Sequence, residues 1–240
     1  MAESTRTITS RERPWATNRY RVFLGNYVLD SKSGLYFHVS VSAAQRRLIS
    51  RTVMQVPAPL RQLACSMGLT VSTNYGLTTA GHQGSTLYAD FKQRDRQLIS
   101  PHIEIGSYSF SSPELLLAHL IHEHAHIWWG CLQDDEREQF RRYLRASCKG
   151  SGVTEVTRYV QSFFAEWLRV LKIKESYGEN HRRCTMDDWS RESFADSCAA
   201  ICVPGYGDAA STVDLTERCE RIEWCTGLPL APIKAFAAAG

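Results

Sequence analysis

The sequence predicts an α+β protein, with a small mixed sheet in its N-terminal half and a helical layer in its C-terminal half. Three observations support this class. Runs rich in β-branched and aromatic residues, separated by turn residues, lie before about residue 110. Apolar residues at helical spacing dominate from residue 111 onward. One helical segment carries closely spaced histidines in apolar surroundings, and we expect that helix to pack against the C-terminal helical layer. We expect a flexible tail over residues 1–18 and a single domain over residues 19–240.

The composition is that of an ordinary globular chain. Of the 240 residues, 43% are hydrophobic and 22% are charged, which excludes an intrinsically disordered or collagenous chain. The net charge of +3 is too small to indicate a dedicated nucleic-acid-binding protein, so no nucleic-acid partner is expected. The longest apolar stretch, residues 115–121, is interrupted by His119 and is far shorter than the ~20 residues of a membrane span. No membrane span is therefore expected.

The N-terminal residues and the cysteines bear on the compartment. The segment before Pro14 has arginines but neither an apolar core nor a small-residue cleavage site, so no Sec signal peptide is expected. The expected location is the cytoplasm, or outside the cell after export by a specialised secretion route. The eight cysteines are expected to be reduced and partly buried. The alternatives for the cysteines are disulfides formed after export and a cysteine-zinc site. The sequence does not indicate an oligomeric state.

The N-terminal half is predicted to contain a hairpin, two helices and three further strands. Residues 20–30 and 35–41 read as the two strands of the hairpin, around a Ser-Lys-Ser-Gly turn. Apolar residues at helical spacing over 43–67 predict two helices, divided at Pro57 and Pro59. The three strands are expected at 68–72, 85–91 and 102–106.

The C-terminal half is predicted to be helical. Ser112, Pro113 and Glu114 are typical of a helix start, because an N-cap hydroxyl, a proline and an acid each suit the first turn. This helix is expected to cover 115–129 and to end at Gly130. Four more helices are expected at 134–148, 153–174, 187–202 and 215–226.

The first of these helices contains the pattern H-E-x-x-H, from His122 to His126. Positions i and i+4 lie on one face of a helix, one turn apart, so both histidines can bind one zinc ion. Glu123 lies beside such an ion, where a general base for metal-bound water is needed. Burying these groups among apolar residues without a metal would leave several polar atoms unsatisfied. We therefore predict one Zn²⁺ per chain, with Glu123 as the catalytic residue.

A catalytic zinc usually has three protein ligands, and the residues directly after His126 offer no further histidine at the spacing H-x-x-G-x-x-H. The best candidate segment is Glu192-Ser193-Phe194-Ala195-Asp196. Its two acids lie four residues apart on one helix face, so one can bind the metal while the other orients a ligand histidine. Phe194 can pack the two helices together. The rivals for the third ligand are Glu166 in the similar run 162–166, His181 and Asp196 itself.

His119 precedes His122 by three residues and shares its helix face. It is expected either to pack at the start of the helix or to contact a metal ligand.

Both motifs resemble those of the glutamate-liganded zincin metallopeptidases (gluzincins), particularly the bacterial toxin-type metalloproteases similar to the catalytic domain of anthrax lethal factor. The resemblance covers about residues 56–203. It implies a zincin-like fold in which Glu192 is the third zinc ligand and Asp196 lies behind the ligands. It also implies a zinc metalloendopeptidase that hydrolyses peptide bonds in a protein or peptide substrate, either an intracellular processing protease or a bacterial effector or toxin.

The sequence departs from this family at one functional position. The family commonly carries a tyrosine seven residues before the third ligand to stabilise the oxyanion, and Thr185 stands there. Tyr177 and Tyr159 are the candidates for this role. Two other functions stay open, namely a zincin-fold binding protein without turnover and a zinc hydrolase that acts on cell-wall peptides.

Overall fold

The computed structural model describes residues 27–74, 84–87, 101–147, 155–177 and 185–233, and these ranges confirm the α+β class. The described strands are β1 Tyr27–Asp30, β2 Leu35–His38, β3 Thr70–Asn74, β4 Gly84–Leu87 and β5 His102–Gly106. The described α-helices are α1 Ala43–Val53, α2 Ala58–Ser66, α3 Pro113–Cys131, α4 Asp134–Ser147, α5 Arg158–Tyr177, α6 Met186–Cys202 and α7 Leu215–Thr226. A short 3₁₀ helix, Ser107–Ser111, leads into α3.

The strands form one mixed sheet in the order β1-β2-β3-β5-β4. The predicted hairpin is present as the antiparallel pair β1 and β2, whose turn contains Gly34 at a φ of +74°, a conformation that favours glycine. β2, β3 and β5 run parallel, and β4 pairs antiparallel with β5. Phe37, Val71 and Ile103 are neighbours across three strands and are completely buried in the core that the sheet shares with the helices.

α3 is the central helix of the fold. Twelve of its nineteen residues are buried, because its apolar residues surround it on every side. It contacts α1, α2 and β4 and packs most extensively against α6. It begins as predicted, with the Ser112 hydroxyl accepting a hydrogen bond from the N–H of Leu115. The predicted end at Gly130 is wrong: the helix continues to Cys131, and Gly130 does not adopt the left-handed conformation of a glycine cap.

Aromatic side chains hold the C-terminal helices together. The Trp129 ring of α3 lies 5.8 Å from Phe140 of α4 and 5.3 Å from Phe194 of α6, measured between ring centroids. Phe194 therefore packs α6 against α3, as predicted. Trp167 of α5 stacks on Trp189 of α6 at 4.9 Å. α6 is thus fixed on two sides, which matters because it carries both acids of the candidate site.

The other predicted strands and helices agree with the structure within the described residues, except at a few boundaries. α5 begins at Arg158, later than the predicted residue 153, because Thr157 lies before its first turn and caps it. The six described cysteines are not bridged to one another: Cys65, Cys131, Cys198, Cys202, Cys219 and Cys225. None of the described helices is long and apolar enough to cross a lipid bilayer. The predicted tail 1–18, the strand portions 20–26 and 88–91, and His181 lie outside the described residues. The single domain stays a prediction.

Candidate metal centre

Two helices bring three metal-binding side chains to one point. α3 presents His122 and His126 one turn apart, and α6 presents Glu192 from the facing side. The Nε2 atoms of the two histidines are 2.9 Å apart. Oε2 of Glu192 lies 3.6 Å from Nε2 of His122 and 3.5 Å from Nε2 of His126. The three side chains are between 9% and 12% exposed, so they form a group that is almost closed to solvent.

These distances suit a metal ion. Ligands bound at about 2.0–2.1 Å in a tetrahedral arrangement lie about 3.3 Å from one another, and the three observed separations bracket that value. His122, His126 and Glu192 are the set that the described residues offer for holding a metal ion. The expected third ligand from α6 is therefore in place beside the two histidines.

The pKa shifts within the group also favour a positive charge beside Glu192. Burial lowers the pKa of His122, but hydrogen bonds to Asp196 and Glu192 outweigh it and raise that pKa well above its usual range. Burial raises the pKa of Glu192, whereas His126 and His122 hold it well below its usual range. The carboxylate thus stays ionised and draws a positive charge into the group. A bound metal cation can supply that charge in place of a histidine proton.

Asp196 lies one turn after Glu192 on α6 and is 1% exposed. Its Oδ1 is 2.8 Å from Nδ1 of His122, so Nδ1–H donates to the carboxylate and Nε2 is the ring nitrogen that faces His126 and Glu192. Metal-binding histidines commonly have such a partner, which fixes the tautomer and the ring orientation. Nδ1 of His126 has no hydrogen-bond partner among the described residues. Asp196 thus orients one ligand histidine, the arrangement that the spacing of the two acids predicts.

Glu123 lies next to the group without belonging to it. It is 6% exposed and lies between α3 and β5, near Ile103, Ile105 and His119. Its negative charge contributes to raising the pKa of His122. Glu123 is thus the neighbour of His122 in the chain and is not one of the three converging side chains.

The two tyrosine candidates lie at opposite ends of α5. Tyr159 is in its first turn and is 40% exposed; burial, followed by the charges of Glu192, Asp196 and Glu123, raises its pKa. Tyr159 therefore lies near the site. Tyr177 is the last residue of α5, about 27 Å along the axis at 1.5 Å per residue, and its side chain lies outside the described portion. That distance along the helix places the backbone of Tyr177 far from the group.

The other candidate residues, His119, Glu166 and Thr185, have hydrogen-bond partners outside the metal group. His119 hydrogen-bonds to Ser109 at 2.6 Å, and burial lowers its pKa to about 4. Glu166, the rival third ligand, binds Arg169 on the surface of α5 through both carboxylate oxygens, at 2.6 and 2.7 Å. Thr185 is the N-cap of α6 and exchanges hydrogen bonds with Asp188.

Sequence reasoning missed three residues that contact the two acids. The hydroxyl groups of Thr157 and Tyr206 both hydrogen-bond to Asp196. Arg191 lies 3.4 Å from Oε1 of Glu192, which leaves Oε2 directed at the histidines. Thr157 could have been found as a helix cap. Tyr206 lies in a glycine-rich turn after α6 and has no signal in the sequence.

No protein-family model matches this chain, and no curated protein is significantly similar to it in sequence. The fold and the site together define an α+β protein with a buried His-His-Glu group that could hold a metal ion.

Proposed function

We propose that this protein is a zinc-dependent metalloendopeptidase. The observation that carries the proposal is the convergence of His122, His126 and Glu192 at 2.9–3.6 Å, with Asp196 bonded to the far nitrogen of His122. Two imidazoles and one carboxylate are the ligands of a well-known class of catalytic zinc sites in peptidases.

Zinc is the proposed metal because it favours this donor set and because such a site keeps a fourth position for water or substrate. When bound there, it would polarise a peptide carbonyl and lower the pKa of a coordinated water to about 7. Arg191 holds Oε1 of Glu192 at 3.4 Å, so this carboxylate offers a single oxygen to the group. A single oxygen leaves room for the fourth position.

Glu123 is the proposed general base. It follows His122 on α3, and its charge acts on the His122 imidazole. A carboxylate beside the first histidine of the pair would be placed to take a proton from a water bound at the metal group. Glu123 accepts the proton of the attacking water and then donates it to the nitrogen of the leaving amine. Tyr159 is the proposed donor to the oxyanion, because it is partly exposed and because the charges of both acids and of Glu123 raise the pKa of its hydroxyl.

A polypeptide substrate is supported by the sheet next to the site. β4 is the outermost described strand on the side of α3, and it contacts that helix. An extended peptide that pairs with a strand edge gains main-chain hydrogen bonds whatever its sequence. Such pairing would place an extended substrate beside α3, the helix that carries Glu123.

The proposal is tested by supplying zinc-loaded protein with a denatured protein and, separately, with purified cell-wall peptides. Cleavage of internal bonds in the denatured protein, abolished in Glu123→Gln, is the expected result. Cleavage of cell-wall peptides alone would instead establish the cell-wall hydrolase. Tight zinc binding without turnover of either substrate would establish a binding protein and overturn the proposal.

A further inference from the structure

Asp196 is the meeting point of three hydrogen bonds from three different parts of the chain. Nδ1 of His122 donates to Oδ1 at 2.8 Å, and the Tyr206 hydroxyl donates to the same oxygen at 3.2 Å. The Thr157 hydroxyl donates to the other oxygen, Oδ2. Both carboxylate oxygens are therefore occupied, and the carboxylate plane cannot turn without breaking a bond.

We infer that Thr157 and Tyr206 are positioning residues, which fix the carboxylate of Asp196 and through it the imidazole of His122. The inference rests on the proposed zinc site, and it adds two residues that neither the H-E-x-x-H pattern nor the acidic run contains. A carboxylate held by one histidine alone could rotate about its side-chain bonds. Anchoring Oδ2 at Thr157 leaves Oδ1 directed at Nδ1 of His122.

The Thr157 hydroxyl is itself oriented by the helix that it caps. Its oxygen accepts a hydrogen bond from the N–H of Val160 at 3.2 Å, as an N-cap side chain does. Because this bond uses a lone pair of the oxygen, the hydroxyl proton is available for Asp196. The start of α5 and the orientation of Asp196 are thus coupled in one side chain.

The two donors come from segments that are bound to each other. The N–H of Asp208 donates to the carbonyl of Val156 at 2.8 Å, and Arg158 pairs with Asp208 at 2.6 Å. Gly207, which joins Tyr206 to Asp208, has a φ of +119°. A Cβ atom at this position would lie only 3.0 Å from the Val156 carbonyl oxygen. Glycine is therefore needed for the close approach that brings Tyr206 and Thr157 to the same carboxylate.

The test measures zinc affinity by competition with a chelator and records the visible spectrum of the Co²⁺-substituted protein. Tyr206→Phe removes one hydroxyl, and Thr157→Val removes the other. Each should weaken zinc binding roughly threefold to tenfold, less than the 10–100-fold typical of a direct partner of a ligand, and should alter the Co²⁺ spectrum. Thr157→Ser keeps both the cap and the donor and should restore the wild-type affinity.

A double-mutant cycle tests whether the effect passes through Asp196. In an Asp196→Asn background, Tyr206→Phe should cause little further loss, because residues in one network are not additive. Thr226→Val removes a comparable hydroxyl from α7 and should leave zinc affinity unchanged. Circular dichroism confirms that each variant is folded.

Three results would overturn the inference while leaving the zinc site intact. They are unchanged zinc affinity in both Tyr206→Phe and Thr157→Val, full additivity with Asp196→Asn, and a Tyr206→Phe variant that loses kcat at unchanged zinc affinity. The last would mean that Tyr206 acts on the reacting atoms instead. If the wild-type protein itself binds no zinc, the proposed function fails and the inference falls with it.

Discussion

Asp196 of α6 binds the nitrogen of His122 that faces away from Glu192 and His126, with 2.8 Å between Oδ1 and Nδ1. The two residues are 74 positions apart in the chain, so this contact exists only when α6 has docked on α3. Glu192 lies one turn before Asp196, and both acids therefore reach the histidines through the same docking. Both the His122, His126 and Glu192 group and the hydrogen bond from His122 to Asp196 therefore depend on the interface between α3 and α6.

Replacing Asp196 tests whether its hydrogen bond to His122 contributes to zinc binding. Asp196→Asn keeps the size of the side chain but loses the charge, so the His122 ring is held less firmly. We expect the variant to retain zinc with affinity or activity reduced by roughly 10–100-fold. Asp187→Asn, on the same helix but exposed, is the control and should behave as the wild type. An Asp196→Asn protein with unaltered affinity and activity would show that His122 needs no such partner.

Glu123→Gln separates proton transfer from metal binding. The amide cannot accept the proton of an attacking water, so peptide hydrolysis should fall by at least ~10²–10⁴-fold, the usual contribution of a general base. Zinc content and thermal stability should not change, since Glu123 is not one of the three converging ligands. Glu166→Gln on the surface of α5 is the matched control. Turnover at the wild-type rate would exclude the proposed mechanism.

His102 predicts a pH dependence of stability that is independent of the metal. Burial, followed by the nearby His38, lowers the pKa of His102 to about 4, against an unfolded value near 6.5. The buried neutral His102 therefore costs no stability above about pH 6.5. As the pH falls from there toward 4, the free energy of unfolding decreases, because the unfolded chain binds the proton first.

The measurement is urea denaturation at pH 7 and pH 4 with a chelator present. Between these values the wild type should lose about 3 kcal/mol more free energy of unfolding than His102→Gln. Glutamine can still hydrogen-bond with Thr70 and Ser72, which hold His102 at 2.9 Å each. Equal losses in the two proteins would contradict the prediction.

A buried ion pair also supports α6. Arg218 of α7 is 1% exposed, lies 3.7 Å from Glu155 and donates to Ser193 and Ser197 of α6. Arg218→Met leaves the Glu155 carboxylate buried without its cation, which should cost about 3–5 kcal/mol of unfolding free energy. Urea denaturation measures this loss.

Two further variants test whether the loss comes from the Arg218–Glu155 pair. Arg221→Met removes an exposed arginine from the same helix and should cost less than about 1 kcal/mol. Adding Glu155→Gln to Arg218→Met removes the stranded charge and should recover part of the loss. A loss for Arg218→Met as small as that for Arg221→Met would show that the pair is not needed for stability.

Local signals in the sequence were sufficient for the helices and for the two histidines. The Ser112 cap, the divided helices at Pro57 and the H-E-x-x-H spacing each depend on residues within one or two turns. Boundaries failed where a competing cap decided them, as at Thr157, or where a glycine stayed helical, as at Gly130.

The rest of the site is set by tertiary packing, which no local pattern records. Tyr206 reaches Asp196 because Gly207 allows the turn after α6 to approach Val156. The strand order, with β5 between β3 and β4, is likewise a long-range arrangement that the separate strand segments do not record. Glu192 was predicted from a short acidic run, but its approach to the histidines requires the docking of α6.

Metal analysis by mass spectrometry tests the central claim most directly, after the protein has been loaded with Zn²⁺ and freed of excess metal. About one zinc per chain is expected in the wild type and in His181→Ala, and little in His122→Ala, His126→Ala and Glu192→Ala. Full retention of zinc in both histidine variants would contradict the site. Zinc bound as tightly by Glu192→Ala as by the wild type, and lost in His181→Ala, would replace it with a three-histidine site.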